Sequence, residues 1–307
     1  MTARIVITGS VARDVLMSYP GLFSEQFVGD AGKISLSFLV ADQVVRAGGT
    51  AANIAHGCAL LGDRPELAVA IGEDFREEGE VLVRRGVDLS RSHWSRLATA
   101  TCYITTDRAG AQIASFYPGA MADSREVHLQ SLSPADWLLV TPGDPAAMEQ
   151  HLREAFLQGA QILFAPGQQL TTLAGDLVAR SIGQSRVVVL NEYEEELVVA
   201  HCGASVVELA PAGSSVVITL GRDGSKVYEG GETTHVAALA VAGLVDPTGA
   251  GDAFLAGMSH VLAAGGSAVE GARWGTALAS FALEGQGAQG YQPAFDEIFA
   301  RYQQVRG

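Results

Sequence analysis

Asp246-Pro247-Thr248-Gly249-Ala250-Gly251-Asp252-Ala253-Phe254 is the stretch on which the reading of this 307-residue chain turns. After Asp252, residues Phe254, Met258, Val261 and Leu262 recur at helical spacing. Asp252 therefore falls in the first turn of a long apolar helix, directly behind a glycine loop. Successive N–H groups from Gly249 to Gly251, with the positive end of the helix dipole, make an anion site that needs no lysine. The glycines let the backbone approach a phosphate closely. A carboxylate beside such a site repels a bound anion, so chemistry is the reason to keep it there. It can accept the proton of an attacking hydroxyl while the amides hold a transferring phosphoryl group. A bare G-x-G-D reads equally as an acidic helix start after a tight turn. Two aspartates bracketing P-T-G-A-G favour the chemical reading.

The composition around this loop narrows the chemistry. Acidic residues outnumber Lys plus Arg by 34 to 20, a formal charge of −14. That balance argues against wide nucleic-acid or anionic-membrane surfaces, which need clustered cations. Lys33 and Lys226 are the only lysines; Lys33 is followed by Ile34, and Phe27 stands where a P-loop needs its first glycine. Any ATP chemistry must hold phosphate by other means. Three cysteines, Cys58, Cys102 and Cys202, do not make a disulfide framework in a chain this long. The N-terminus lacks a signal-peptide h-region and no run reaches the length of a membrane span, so the expectation is a soluble, cytoplasmic protein.

Short aliphatic runs alternate with helical segments. Arg4–Thr8, Glu66–Ile71, Trp137–Val140, Gln161–Phe164, Arg186–Leu190 and Ser215–Leu220 read as strands, several of them continuously apolar, as in a parallel sheet covered on both faces. Asp144 and Pro145 suit the N-cap and first turn of a helix carrying Met148, Leu152, Ala155 and Phe156, which Gly159 closes. The alternation predicts an α/β doubly wound sandwich. Lys33–Val40, Thr101–Thr106 and Ala111–Phe116 instead alternate with period two, the last two about a D-R-A-G turn. They predict a small half-exposed sheet, either a lid or a peripheral hairpin.

Two further segments carry candidate site residues. Gly48-Gly49-Thr50-Ala51-Ala52-Asn53 opens a helix with Ile54, Cys58 and Leu61 on one face, exposing backbone at the glycine pair and Asn53 in the first turn. Thr8-Gly9-Ser10 follows the first strand, with Asp14 beyond it. Ligands of open α/β sheets bind outside the carboxyl ends of the strands, where Asp14 could meet sugar hydroxyls.

These three segments together resemble the ribokinase family, also called the PfkB carbohydrate kinases, whose signatures are G-G-x-x-x-N near the N-terminus and D-x-T-G-A-G-D near the C-terminus. The resemblance runs over essentially the whole chain. It implies one ribokinase-like catalytic domain over residues 1–307, with a discontinuous β lid from about 14–47 and 98–119. It implies that Asp252 is the catalytic base and that Gly249, Ala250 and Gly251 form the anion hole for the γ-phosphate of ATP, the co-substrate. Asn191-Glu192-Tyr193-Glu194 matches the family's N-x-x-E, with Asn191 and Glu194 organising Mg2+ through water. Thr219, Gly221 and Gly224 match the nucleotide-binding turn, and Ala279 the helix beside adenine. K+ is implied at the Asp246 and Thr248 loop, with carbonyls near Ala282–Gly287. Proton transfer late in a loose transition state would not require a raised pKa at Asp252.

Within the family, Gln112-Ile113-Ala114-Ser115-Phe116-Tyr117-Pro118-Gly119-Ala120-Met121 resembles a segment of bacterial adenosine kinases, as do Phe23–Gln26 and Lys33–Val40. That likeness implies adenosine as acceptor, with Tyr103 and Phe116 sandwiching the base. Gln168 and Gln169 would line the same pocket, Asp14, Gly48, Gly49 and Asn53 would meet the ribose, and Ser10 would lie near the base. Ala165 and Gly167 replace an aspartate and a serine of the related D-P-S-Q-Q segment, and Tyr103 stands where phenylalanine is usual. A sugar or other nucleoside kinase, and a catalytically silent nucleoside binder, stay open on these residues. The exposed lid face further implies a homodimer through the lid.

Overall fold

A computed structural model of the chain describes residues 3–26, 36–241 and 243–307. In chain order the strands are β1 (Ile5–Thr8), β2 (Ala12–Ser18), β3 (Asp42–Gly48), β4 (Glu66–Leu67), β5 (Ala70–Gly72), β6 (His93–Ser95), β7 (Ala100–Thr106), β8 (Gln112–Tyr117), β9 (Trp137–Val140), β10 (Gln161–Phe164), β11 (Val187–Asn191), β12 (Ser215–Thr219), β13 (Ser225–Glu229) and β14 (Glu232–Val236). The helices are α1 (Phe23–Gln26), α2 (Thr50–Leu60), α3 (Arg76–Arg84), α4 (Pro145–Leu157), α5 (Gly175–Gly183), α6 (Glu192–Cys202), α7 (Val206–Leu209), α8 (Ala250–Ala263), α9 (Ala268–Glu284) and α10 (Phe295–Arg306).

The main sheet has the order β14-β13-β12-β11-β10-β9-β1-β4, parallel from β4 to β12 and antiparallel at β13 and β14. Successive strand residues point to opposite faces, and each face has its own core. Ile7, Leu139, Leu163, Val189 and Val217 pack with residues of α2, α8, α9 and α10. Val6, Leu138, Val140, Phe164, Val188 and Ile218 pack with α4, α5 and α6. This is the ribokinase-like doubly wound sandwich. Strands covered on both sides must be apolar at every position, which is why Val187–Leu190 and Val216–Ile218 carry no alternation. Asp144 caps α4 by accepting a 2.9 Å bond from the Ala147 N–H, Pro145 is its first residue, and Gly159 follows in a left-handed turn at φ 71°.

A second sheet, β3-β2-β7-β8, draws its strands from two separate stretches of chain. β2 runs antiparallel to β3 and parallel to β7, while β7 and β8 form a hairpin. Asp107 closes the hairpin turn, its Oδ1 accepting 2.9 Å bonds from the N–H groups of Ala109 and Ala111.

Two strand expectations are corrected. Of Lys33–Val40, residues 33–35 lie outside the described residues and 36–40 form no strand; the strand is β3. Phe38 packs 5.0 Å from each of the Tyr19 and Phe23 rings, so its apolar side chain serves a local aromatic cluster and not a ladder. Glu66–Ile71 is two strands. Glu66–Leu67 pairs with β1, and the chain then changes partners at Ala68–Val69, so that Ala70–Gly72 pairs with β6. An apolar run reports burial but not the identity of the neighbouring strand.

Candidate active site

The carboxyl ends of the parallel strands gather the loops that carry the predicted residues. Gly249 stands at the N-cap of α8 with φ 82°, and a Cβ there would meet the Ala288 Cα at 2.6 Å. Only glycine combines that left-handed turn with that approach. Among the described residues no side chain caps α8. Its first-turn N–H groups at Gly251 and Asp252 thus lack helical partners, and the Cα of Gly251 faces open space. Gly49 does the same for α2. Its φ is 89°, and a Cβ would meet the Ser10 carbonyl at 2.6 Å and the Ala12 nitrogen at 2.7 Å. Ser10 secures this helix start by accepting a 3.2 Å bond from the Thr50 N–H at Oγ and a 3.0 Å bond from the Ala51 N–H at its carbonyl.

Both loops meet at Asp252. Asn53, 5% exposed, donates Nδ2 to Asp252 Oδ2 at 2.8 Å, and its Oδ1 accepts from Gln289 Nε2 at 3.0 Å. Burial pushes the Asp252 carboxyl up to about 7; the Asn53 bond opposes this and the nearby Asp14 charge adds to it. The site therefore holds a carboxyl poised to titrate near pH 7.

Asp14, on β2, is the register partner of Arg46 on β3 and of Cys102 on β7. Its carboxylate lies over Gly48, where a Cβ would fall 2.4 Å from Oδ2. Burial raises its pKa, Arg46 counters this, and Asp246 adds to the rise. Asp246 ties the glycine loop before α8 to the turn after α9, its Oδ1 accepting from the Thr248 N–H and its Oδ2 from the Gly287 N–H, both at 2.9 Å. Desolvation is overcome by these bonds and by Arg46, whose Nη1 lies 3.7 Å from Oδ2, so Asp246 stays below its ordinary pKa.

A cavity of about 630 Å³ opens beside the loop, lined by Thr219, Gly221, Gly224, Val241, Phe254 and Ala279 among others, and it ends at Ala250 and Gly251. Asn191 is the register neighbour of Thr219. It caps α6 in a reciprocal box: Asn191 Oδ1 accepts from the Glu194 N–H at 2.8 Å and Glu194 Oε2 from the Asn191 N–H at 3.1 Å, while Asn191 Nδ2 also donates to Glu194 Oε1 at 2.8 Å. Burial raises the Glu194 pKa against the Asn191 bonds.

Gln169 joins the Ser10 side of the cleft. Its Nε2 donates to the Gly143 carbonyl at 2.6 Å, next to Pro142, whose carbonyl accepts from Thr50 Oγ1 at 3.3 Å. Gln168 is exposed beside it. The aromatic sandwich is corrected. In the β7–β8 ladder Cys102 pairs with Phe116 and Tyr103 with Ser115, so Tyr103 and Phe116 point to opposite faces of the sheet. Phe116 shares the face of Cys102 and Asp14, and Tyr103 that of Val15. Tyr103 and Phe116 therefore cannot enclose one base between them.

Sequence reasoning missed Arg46, Arg85 and Gln289. Gln289 lies 236 residues from Asn53, and no local pattern marks such a contact.

The profile of the pfkB family carbohydrate kinases matches residues 3–294. The nucleoside kinase of Methanothermobacter thermautotrophicus is 30% identical over 261 residues, 83% of this chain and 84% of the relative. The solved structure of Burkholderia thailandensis nucleoside kinase in complex with inosine superposes with a TM-score of 0.86 at 29% identity, covering 98% of this chain and 97% of that one. The structure of Methanocaldococcus jannaschii nucleoside kinase, 23% identical, shares the fold with a TM-score of 0.88 and covers 99% of both chains. Among the described residues no helix is long and apolar enough to cross a membrane.

Proposed function

Because the chain belongs to the pfkB family of carbohydrate kinases, we propose that it is an ATP-dependent nucleoside kinase that phosphorylates the 5'-hydroxyl of adenosine, giving AMP and ADP. The observation that carries this reading is the position of Asp252. A carboxyl held near neutrality stands one residue beyond an uncapped glycine loop that closes a nucleotide-sized cavity. Nucleoside kinases among the similar proteins support the acceptor class.

In this mechanism the acceptor 5'-hydroxyl lies between Asp252 and the γ-phosphate. Asp252 takes the hydroxyl proton as the oxygen–phosphorus bond forms. The bond from the γ-phosphorus to the bridging oxygen breaks, and ADP leaves with that electron pair. The loop of Gly249, Ala250 and Gly251 holds the transferring group, chiefly through the Gly251 N–H because the Ala250 N–H donates to the Pro247 carbonyl at 3.3 Å, and supplies the stabilisation that lysine provides elsewhere. Thr219, Gly221, Gly224 and Ala279 line the nucleotide cavity, and Asn191 stands next to Thr219 on the neighbouring strand. Asp14, backed by Arg46, receives ribose hydroxyls over Gly48 and Gly49. Phe116 offers one aromatic face to the base, while Ser10, Gln168 and Gln169 border the far wall. Asn53 holds the base Asp252.

Among the described residues no cluster of three or more His, Cys, Asp or Glu could hold a metal. Glu194 has each Oε taken by one Asn191 donor, leaving lone pairs for water. That donor set fits Mg2+ held mainly by phosphates and waters, with Asn191 and Glu194 ordering the waters. Bound there, Mg2+ neutralises phosphate charge. The oxygen donors at Asp246 and Thr248 suit an alkali cation such as K+, whose contribution Arg46 would share. We further propose that β2, β3, β7 and β8 act as a lid on one catalytic domain. Their exposed face, with Val45, Tyr103, Ile113 and Tyr117, would pair two copies into a homodimer.

The test is an ATP-coupled panel of adenosine, inosine, guanosine, ribose, fructose and fructose 6-phosphate, each product quantified. Adenosine should have the highest kcat/KM. Faster turnover of a sugar overturns the acceptor assignment, and no turnover of any member overturns the activity.

A further inference from the structure

Asp252 is joined to a cation behind α2 by a run of polar side chains whose donors all point one way. Arg85 follows α3 and has only donors. Its Nη1 lies 3.1 Å from His56 Nδ1 and 3.5 Å from Gln289 Oε1. His56 is fully buried, and its Nε2 lies 3.0 Å from the Tyr291 carbonyl. A carbonyl only accepts, so Nε2 carries the proton and Nδ1 accepts from Arg85. Burial drives the His56 pKa down to about 4, against the Tyr291 bond and with help from Arg85, so the imidazole stays neutral at physiological pH. Gln289 therefore turns Oε1 to Arg85 and Nε2 to Asn53 Oδ1, which leaves Asn53 Nδ2 for Asp252 Oδ2.

We propose that Gln289, with Arg85 behind it, is a positioning residue that keeps the donor end of Asn53 against Asp252. The primary amide of Asn53 has two near-isosteric orientations. Turned over, it would set Oδ1 against the carboxylate and Nδ2 against Gln289 Nε2, an acceptor facing an acceptor and a donor facing a donor. The Gln289 donor excludes that state and so favours the ionised base. The other groups near Asp252 do not replace it. Asp14 on β2 repels the carboxylate, and Arg46 on β3 is engaged beside Asp14 and Asp246. The Tyr291 phenol is pushed up by burial and stays neutral, as does the Cys58 thiol beyond it. The inference rests on Asp252 being the base.

The test compares wild type with Gln289→Leu, Gln289→Glu and Arg85→Leu in the full-length protein. One readout is the pH profile of kcat and kcat/KM for ATP-dependent phosphorylation. The other is the substrate-free 13C titration of the Asp252 carboxyl, assigned with Asp252→Asn. Freeing Asn53 to turn Oδ1 toward the protonated carboxyl should move the Gln289→Leu titration and the acid limb of kcat/KM up by about one pH unit. The kcat plateau above the limb should stay within about threefold of wild type. Gln289→Glu presents only acceptors, draws Nδ2 away from Asp252 and should shift further. Arg85→Leu should shift less, in the same direction. Titrations that coincide with wild type overturn the proposal, as does a lowered plateau with no shift, the mark of a merely structural residue. If wild type turns over no nucleoside, the proposed function fails while the carboxyl titration still decides the role of Gln289.

Discussion

Asn53 and Asp252 lie 199 residues apart and meet through a 2.8 Å hydrogen bond from Asn53 Nδ2 to Asp252 Oδ2. The contact makes one device of two glycine-led helix starts, α2 and α8. The helices pack closely enough that a Cβ on Gly57 would fall 2.6 Å from the Ala256 Cβ. The backbone packing thus positions the amide, and the amide positions the carboxylate.

The first consequence is a pH dependence. Asp252 must be ionised to accept a proton, and its pKa is pushed up to about 7, chiefly by burial. The acid limb of kcat/KM, which reports the free enzyme, should bend near pH 7 and fall about tenfold per unit below it. A pH–rate series under constant ionic strength checks this. A limb near pH 4 would mean the base sits in a wetter site.

The same shift affects stability. The folded pKa of about 7 exceeds the ordinary 3.8, so the folded state binds the extra proton between those values. Stability is then lost as pH rises through that window, and the cost is complete above pH 7. Asp252→Asn removes it and should stabilise the protein at pH 8 by about 1–3 kcal/mol, roughly 2–5 °C in Tm for a chain of this size. Thermal melts at pH 8 and pH 4 should show the gain at the first and little at the second.

Much of the scaffold was legible because its causes are local. β9 and β10 lie over the expected residues, since strands covered on both faces must be apolar throughout. The α4 start is written in Asp144 and Pro145, and the α8 start in Gly249. β3 was not legible: Asp42-Gln43-Val44-Val45 is exposed at every position, so it lacks the burial that gives a strand its pattern. Tyr103 and Phe116 were recognised without the register that turns them to opposite faces, because only the Cys102–Phe116 pairing reveals it. Gln289 and Arg85 reach Asn53 and His56 across the tertiary fold, and pairing of that kind has no local spacing.

Gly48 offers a separation of acceptor binding from folding. The nearest atoms an added methyl would meet belong to the Asp14 carboxylate, with Oδ2 at 2.4 Å, the far end of a movable side chain. Gly48→Ala should displace Asp14, raising the acceptor KM by about tenfold or more for one lost charge-assisted contact. The KM for ATP should stay within about twofold, and Tm should change by about 2 °C or less if the shift is confined to the Asp14 side chain. Parallel steady-state kinetics and melts measure both.

Phe116 tests base recognition. Half-exposed on the Asp14 face of β8, it should contribute stacking worth about 1–3 kcal/mol, so Phe116→Ala should weaken adenosine binding by roughly 5- to 150-fold. ADP binding should be unchanged. Titration calorimetry with adenosine and with ADP reads the two separately, and an equal loss for both ligands would place Phe116 outside the acceptor site.

The central claim is that Asp252 is the base of an ATP-dependent nucleoside kinase, and its most direct test is AMP formation from adenosine and ATP by wild type and Asp252→Asn side by side. Wild type should produce AMP and ADP in equal amounts. Asp252→Asn should be slower by about 10²–10⁴-fold while binding adenosine and ADP within about threefold of wild type. An Asp252→Asn protein that turns over at the wild-type rate would contradict the account.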